Sequence, residues 1–376
     1  ELTEAVPAST NVKHYAQIVY KKNVLRKLIE AGEYMAETAF AETSDAVEDI
    51  LDAVEKKVFA VTNSSGAQKF VSIKQSLHET WEEIEKLQES KGQLRGVPTG
   101  YPALDNLLAG LQKSDLIILA ARPSVGKTTL ALDIARNAAT KHKASVAIFS
   151  LEMSANQLTQ RMLAAESKVN AWKLRTGKIT AEQDFTALQE ALNELSKAKI
   201  YIDDQAGNSI MKMKSVARKM KSEHGLDLIV VDYLQLMMTS KNHDSMVNQV
   251  TEISRSLKGL ARELDVPVLA LSQLSRAVES RGGKPRLSDL RDSGSIEQDA
   301  DVVMFIHRED RAGNTRSDSE STGMTEVLIE KHRNGPLGKA DLYFDEKNST
   351  FLPIEKHMEG YVAAAGSGAG AAFDDF

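Results

Sequence analysis

The chain reads as an α/β protein, with a central, mostly parallel sheet covered by helices on each side, preceded by an α-helical hairpin and a linker helix. Three observations predict this. Beyond Gly96, short apolar runs bounded by turn residues alternate with segments of helical periodicity, as in βαβ units. Several of these runs, such as Ile229-Val230-Val231, are apolar at every position rather than every second one, which suits strands buried on both faces. Residues 12–66 repeat apolar side chains at helical spacing instead.

In order along the chain, Tyr15, Val19, Leu25, Leu28 and Ile29 mark one helix. Ser44 or Asp45 can cap a second, through Val47, Ile50, Leu51, Val54, Val58 and Val61. Two helices enclose too little interior to be stable alone, so their apolar stripes are expected to pack on another copy of the chain. Asn63-Ser64-Ser65-Gly66 breaks the pattern. Ile73, Leu77, Trp81, Ile84 and Leu87 then form the apolar edge of an acidic amphipathic helix, and an aromatic on that edge predicts docking on a neighbour. Eight strands are expected: Leu116–Ala121, Ser145–Leu151, Ile200–Asp203, Leu228–Tyr233, Pro267–Leu271, Val302–Ile306, Thr325–Ile329 and Ala340–Phe344. Ser154 with Gln157 forms a capping box for the helix through Met162 and Ala165. From Glu359 the Ala/Gly composition predicts a disordered tail. The expected division is 1–66 hairpin, 67–95 linker helix, 96–356 main domain and 357–376 tail.

Composition narrows the function. At 376 residues, 42% hydrophobic and 27% charged, the chain can bury a full core. With no cysteine it has no disulfide scaffold, Cys-ligated zinc or thiol nucleophile, and it fits a reducing compartment. No apolar run approaches the roughly 20 residues of a membrane helix, and the first residues do not read as an export signal, so a cytoplasmic location is expected. A net charge of −6 argues against a globally basic nucleic-acid coat, leaving only local nucleic-acid contacts.

The strongest local signal is Ala121-Arg122-Pro123-Ser124-Val125-Gly126-Lys127-Thr128-Thr129, between a strand and a helix through Leu130 and Ile134. Backbone N–H groups near Gly126 and the helix dipole favour phosphate, Lys127 reaches the terminal phosphates, and the Thr128 hydroxyl faces Mg²⁺. The pattern predicts a nucleoside triphosphate site, with Ala121 standing where the usual motif has its first Gly. Asp232 closes an apolar strand, the position from which a carboxylate meets that Mg²⁺. Glu152 follows the strand ending near Ser150; it either activates water or caps the helix that starts near Ser154. Gln273 ends another strand and either senses the γ-phosphate or is a plain strand-end polar residue. The Gly-rich segment 273–295 carries five basic and three acidic side chains and no aromatic, so it is either a phosphate-gripping loop for single strands or a solvated basic loop.

In Ala120–Thr129, Phe149–Ser154, Asp227–Met237, Leu271–Ser275, Ser288–Asp301 and Glu330–Gly338, and in the hairpin and linker, the chain resembles the DnaB-type replicative DNA helicases, from residue 1 to about 355. Loops beginning Ala-Arg-Pro-Ser are common there. The resemblance implies a RecA-like P-loop NTPase core working as a homohexamer, driven by ATP or another NTP with Mg²⁺ and moving 5′ to 3′ on single-stranded DNA. It implies Ser124, Gly126, Lys127, Thr128 and Thr129 on the nucleotide, Glu152 as general base, Asp232 on Mg²⁺ and Gln273 as sensor. It further implies Arg291, Asp292 and Gly294 in a DNA-tracking loop, and Arg333 as an arginine finger entering the next subunit's site with Lys331 beside it. A primase and a helicase loader are the implied partners. Helices that the family carries ahead of the hairpin are not among these residues.

Overall fold

The computed structural model describes residues 12–41, 50, 53–54, 57–58, 72–89, 94–205, 209–237, 246–274, 283–290, 294–308 and 323–354. Two units are distinguished, Glu1–Lys91 and Gly92–Phe376.

In the first unit, α1 spans Val12–Phe40. Residues 50, 53, 54, 57 and 58 are helical as well. Lys57 Nζ lies 5.2 Å from the Tyr34 ring centroid, a cation–π contact joining the two segments. Ala31 is buried, whereas Val19, Leu25, Leu28 and Ile29 are exposed. The capping residues Ser44 and Asp45, with Val47, Leu51 and Val61, lie outside the described residues. Helix α2, Ile73–Glu89, exposes Ile73, Leu77, Trp81 and Ile84, and Trp81 Nε1 donates to Glu85 Oε1 at 2.6 Å.

The second unit is built on strands β1 (Leu116–Ala121), β2 (Val146–Ser150), β3 (Ile200–Asp203), β4 (Leu228–Asp232) and β5 (Val268–Gln273). Strands β6 (Val302–His307), β7 (Met324–His332), β8 (Gly338–Asp345) and β9 (Thr350–Pro353) complete it. The sheet order is β3-β2-β4-β5-β1-β6-β7-β8-β9, parallel through β6 and antiparallel beyond. Parallel neighbours need crossover connections, and helices supply them. β7 runs on to His332, past the expected end at Ile329, and β9 was not foreseen: only Thr350 and Phe351 of its four residues are buried. The expected tail lies outside the described residues.

β1 is buried along its whole length. Ile117 and Leu119 share one core with Leu130, Ile134 and Ala138 of α4 (Lys127–His142), together with α3 (Pro102–Leu108) and α5 (Ala155–Ser167). Leu116, Ile118 and Ala120 share the other core with Met213 of α8 (Ile210–His224) and with Ile253, Leu257 and Leu260 of α9 (Met246–Leu264). Each fully buried Leu or Ile contributes about 1.5–3 kcal/mol, so β1 is fixed from both sides. The short α6 (Ala171–Thr176) and α7 (Glu182–Lys197) lead into β3, and α10 (Gly294–Asp299) leads into β6.

At the amino edge of the parallel strands, Asp301 accepts from the Leu116 backbone N–H at 2.8 Å and pairs with Lys258. Beside it, burial and the Asp301 charge raise the Asp115 carboxyl from 3.8 to about 6. Between those values the folded chain keeps a proton that the unfolded chain has released, so stability declines as pH rises through that window. Asp115→Asn is therefore expected to stabilise the fold by about 1–2 kcal/mol near pH 8 and to do little near pH 4. Thermal melts of both proteins at the two pH values check this.

Candidate nucleotide-hydrolysis site

Register brings the carboxyl ends of four strands to one edge. Ala121 of β1 pairs with Gln273 of β5, and Ser150 of β2 pairs with Asp232 of β4. Open parallel sheets bind ligands at this edge. The chain leaves β1 through a tight turn in which Val125 N–H donates to the Arg122 carbonyl at 3.4 Å. Ser124 takes φ +63° and Gly126 φ +108°, and α4 starts at Lys127. A Cβ on Gly126 would lie 2.9 Å from the Phe351 ring, so conformation and space both demand glycine. Phe351 is held in place by Asp133 of α4, which accepts from the Phe351 N–H at 2.8 Å and from Thr350 Oγ1 at 3.0 Å, while Arg136 pairs with the same carboxylate. The last strand thus braces the phosphate turn.

Thr128 Oγ1 donates to Asp232 Oδ2 at 2.8 Å. The other oxygen, Asp232 Oδ1, is buried with no hydrogen-bond partner. Burial raises the Asp232 carboxyl above its ordinary value; the Thr128 hydrogen bond and the Lys127 charge oppose that, and the Glu152 charge adds to it. A buried carboxylate with one oxygen unclaimed beside a threonine hydroxyl fits a divalent cation. Among the described residues no group of three or more His, Asp or Glu could hold one unaided. The donor set fits Mg²⁺, which keeps waters and takes substrate phosphates alongside one or two protein oxygens. Lys127 Nζ lies 4.5 Å from the Tyr233 ring centroid, and burial lowers its ammonium below the ordinary value while the Asp232 and Glu152 charges pull it back.

Glu152 is exposed in the same cleft. Helix α5 does not use it as a cap. Ser154 and Gln157 form the reciprocal capping box, and Asp204 accepts from the Ala155 N–H at 2.8 Å. Gln273 lines the cleft with Ser124, Gly126, Thr128 and Thr129, and the cleft volume is about 920 Å³. Sequence reasoning missed the basic side chains Arg161, Arg175 and Lys347, which with Arg122 and Lys127 outnumber Glu152 and Glu346 along its walls. It also missed Trp172. An aromatic flanked by Ala171 and Lys173 in a polar stretch was the available signal.

Lys331 and Arg333 lie elsewhere. β7 is antiparallel to β6, with His332 opposite Val302, so this end of β7 is at the amino edge, away from the chain's own phosphate turn. There Arg333 pairs with Asp301 Oδ1 at 3.4 Å and donates to the Gln298 carbonyl, and Lys331 donates to the Glu297 carbonyl. Gly294 begins α10. Arg291 and Asp292 lie outside the described residues.

Strand, glycine turn, helix and strand-end carboxylate, set on a RecA-like sheet, define a P-loop nucleotide-using enzyme. Residues 96–353 match the DnaB-like helicase C-terminal domain, and the chain belongs to the DnaB-like helicase family. It is 47% identical over 361 residues to the replicative DNA helicase DnaB of Geobacillus stearothermophilus, covering 96% of this chain and 78% of that one. Over the same length it is 46% identical to the replicative DNA helicase DnaC of Bacillus subtilis, again covering 96% and 78%. A solved DnaB-like replicative helicase, described with its interactions with primase, aligns with TM-score 0.77 and 35% identity over 94% of this chain and 82% of that one. A solved ATPase domain aligns with TM-score 0.71 and 40% identity over 76% of this chain and all of its own.

Proposed function

We propose that this chain is the ATP-dependent motor subunit of a replicative DNA helicase, a homohexameric ring that moves 5′ to 3′ on single-stranded DNA and parts the duplex at the fork. The observation that carries the reading is the division of labour between the two edges of one sheet. The cleft brings Lys127, Thr128 and Glu152 together, with Asp232 hydrogen-bonded to Thr128, while Arg333 stands at the opposite edge from the chain's own phosphate turn, which favours a role toward another copy.

In this reading the phosphate turn from Ser124 to Thr129 binds the triphosphate of ATP or another NTP. Thr128 and Asp232 hold Mg²⁺, which when bound neutralises charge on the phosphate oxygens. Lys127 grips the terminal phosphates, Glu152 takes the proton of the attacking water, and Gln273 registers the γ-phosphate from the end of β5. Arg333 enters the neighbour's cleft, with Lys331 beside it, and stabilises the charge that develops there. Arg291 and Asp292, with Gly294 at the start of α10, belong to the segment that follows the DNA backbone. Residues 96–356 are the motor, 1–66 part of a collar, 67–95 a linker helix whose exposed Leu77 and Trp81 dock on the next subunit, and 357–376 a tail.

A primase and a helicase loader are the proposed protein partners, the first supported by the relative solved with primase. The cytoplasm is the proposed location, and no described helix is long and apolar enough to cross a membrane. The deciding experiment is unwinding of a forked duplex with a free 5′ tail under Mg-ATP. Displacement of many strands per ring is expected. A ring that only opens and closes with nucleotide, displacing none, would refute the motor.

A further inference from the structure

We propose that Trp172 sets base specificity: its indole stacks on the base of the nucleotide whose phosphates sit at Lys127. This rests on reading the cleft as the nucleotide site. A triphosphate on the Gly126–Thr128 turn fills only part of the cleft and leaves its sugar and base to the remaining walls, which include Asn170, Trp172, Arg175 and Lys347. Two aromatic residues, Phe344 and Trp172, line the cleft. The Phe344 ring is engaged beside the turn itself, 3.7 Å from where a Gly126 Cβ would stand, 4.8 Å from the Phe351 centroid and 4.8 Å from the Arg308 guanidinium carbon. The Trp172 side is open: the residue is 66% exposed, on a helix that buries none of its six residues.

The tryptophan is largely exposed, yet its backbone is fixed. The Trp172 backbone N–H donates to Asn170 Oδ1 at 2.8 Å, capping α6, and the neighbouring Ala171 N–H donates to the Lys347 carbonyl at 3.1 Å, tying α6 to the turn between β8 and β9. Phosphate affinity and base recognition therefore come from different elements. A flat ring offered to solvent at the rim of a basic cleft is suited to a π-face, and purines stack more strongly than pyrimidines.

The test uses fluorescence, since the chain has only two tryptophans, Trp81 and Trp172. In a Trp81→Phe protein, Mg-ADP is expected to quench the remaining emission, whereas inorganic tripolyphosphate, competing for the same turn, is not. Trp172→Ala is expected to weaken Mg-ADP binding about tenfold and flatten purine preference, with tripolyphosphate affinity little changed; Trp172→Tyr recovers most of the affinity. If Mg-ADP binds Trp172→Ala as tightly as the parent while tripolyphosphate competes, the stacking role is wrong and the phosphate turn stands. If neither ligand binds the parent, the cleft assignment falls and this inference with it.

Discussion

Rings of Arg333→Ala subunits are expected to hydrolyse ATP at least about 10³-fold more slowly than the parent while binding nucleotide almost as well, because an arginine finger acts on transition-state charge rather than on the bound ground state. The side chain is 46% exposed and its pairing with Asp301 is a partly solvated one, so its loss costs stability little, about 0–1 kcal/mol. Asp301 retains Lys258 and the Leu116 N–H, and thermal melts should hardly move. A mixing experiment separates a shared site from a local defect. An Arg333→Ala subunit keeps an intact cleft, and a Glu152→Gln subunit keeps an intact arginine. Co-assembled, they rebuild complete sites wherever the second follows the first, and hydrolysis returns. No recovery at any mixing ratio would show that Arg333 does not work across an interface.

Glu152→Gln is the second large effect. The amide keeps the size of the carboxyl but cannot take a proton from water, and loss of a positioned general base lowers turnover by about 10²–10⁴-fold. Nucleotide affinity should hold, since Lys127, Thr128 and Asp232 are untouched and α5 is capped by Ser154 rather than by Glu152. Single-turnover hydrolysis and equilibrium Mg-ATP binding measure the two quantities separately. A parallel loss of binding and turnover would assign Glu152 to holding the site together instead of to chemistry.

The parallel sheet and the phosphate turn were legible in the sequence because their signals are local. An unbroken apolar strand, a glycine that must follow, and a helix start all fall within Leu116–Leu130. Asp232 was legible for the same reason, as the polar end of an apolar run. What escaped depends on partners far along the chain. β9 buries only two residues; it pairs with the neighbouring β8, and what fixes it over the phosphate turn is Asp133, more than two hundred positions earlier. The basic rim from Arg161, Arg175 and Lys347 comes from helices and a turn that only the folded sheet brings together. For Lys331 and Arg333 the sequence indicates a strand end; the edge it occupies follows only from the antiparallel pairing of β7 with β6.

The bracing of Gly126 by Phe351 has a consequence for synthesis. A nascent polypeptide that has emerged through β8 already contains every residue of the phosphate turn, yet lacks the ring that rests on it and the N–H that Asp133 receives. The turn is therefore braced only once β9 has been made. A chain interrupted before Thr350 has the turn but neither the ring that rests on it nor the hydrogen bond that holds that ring.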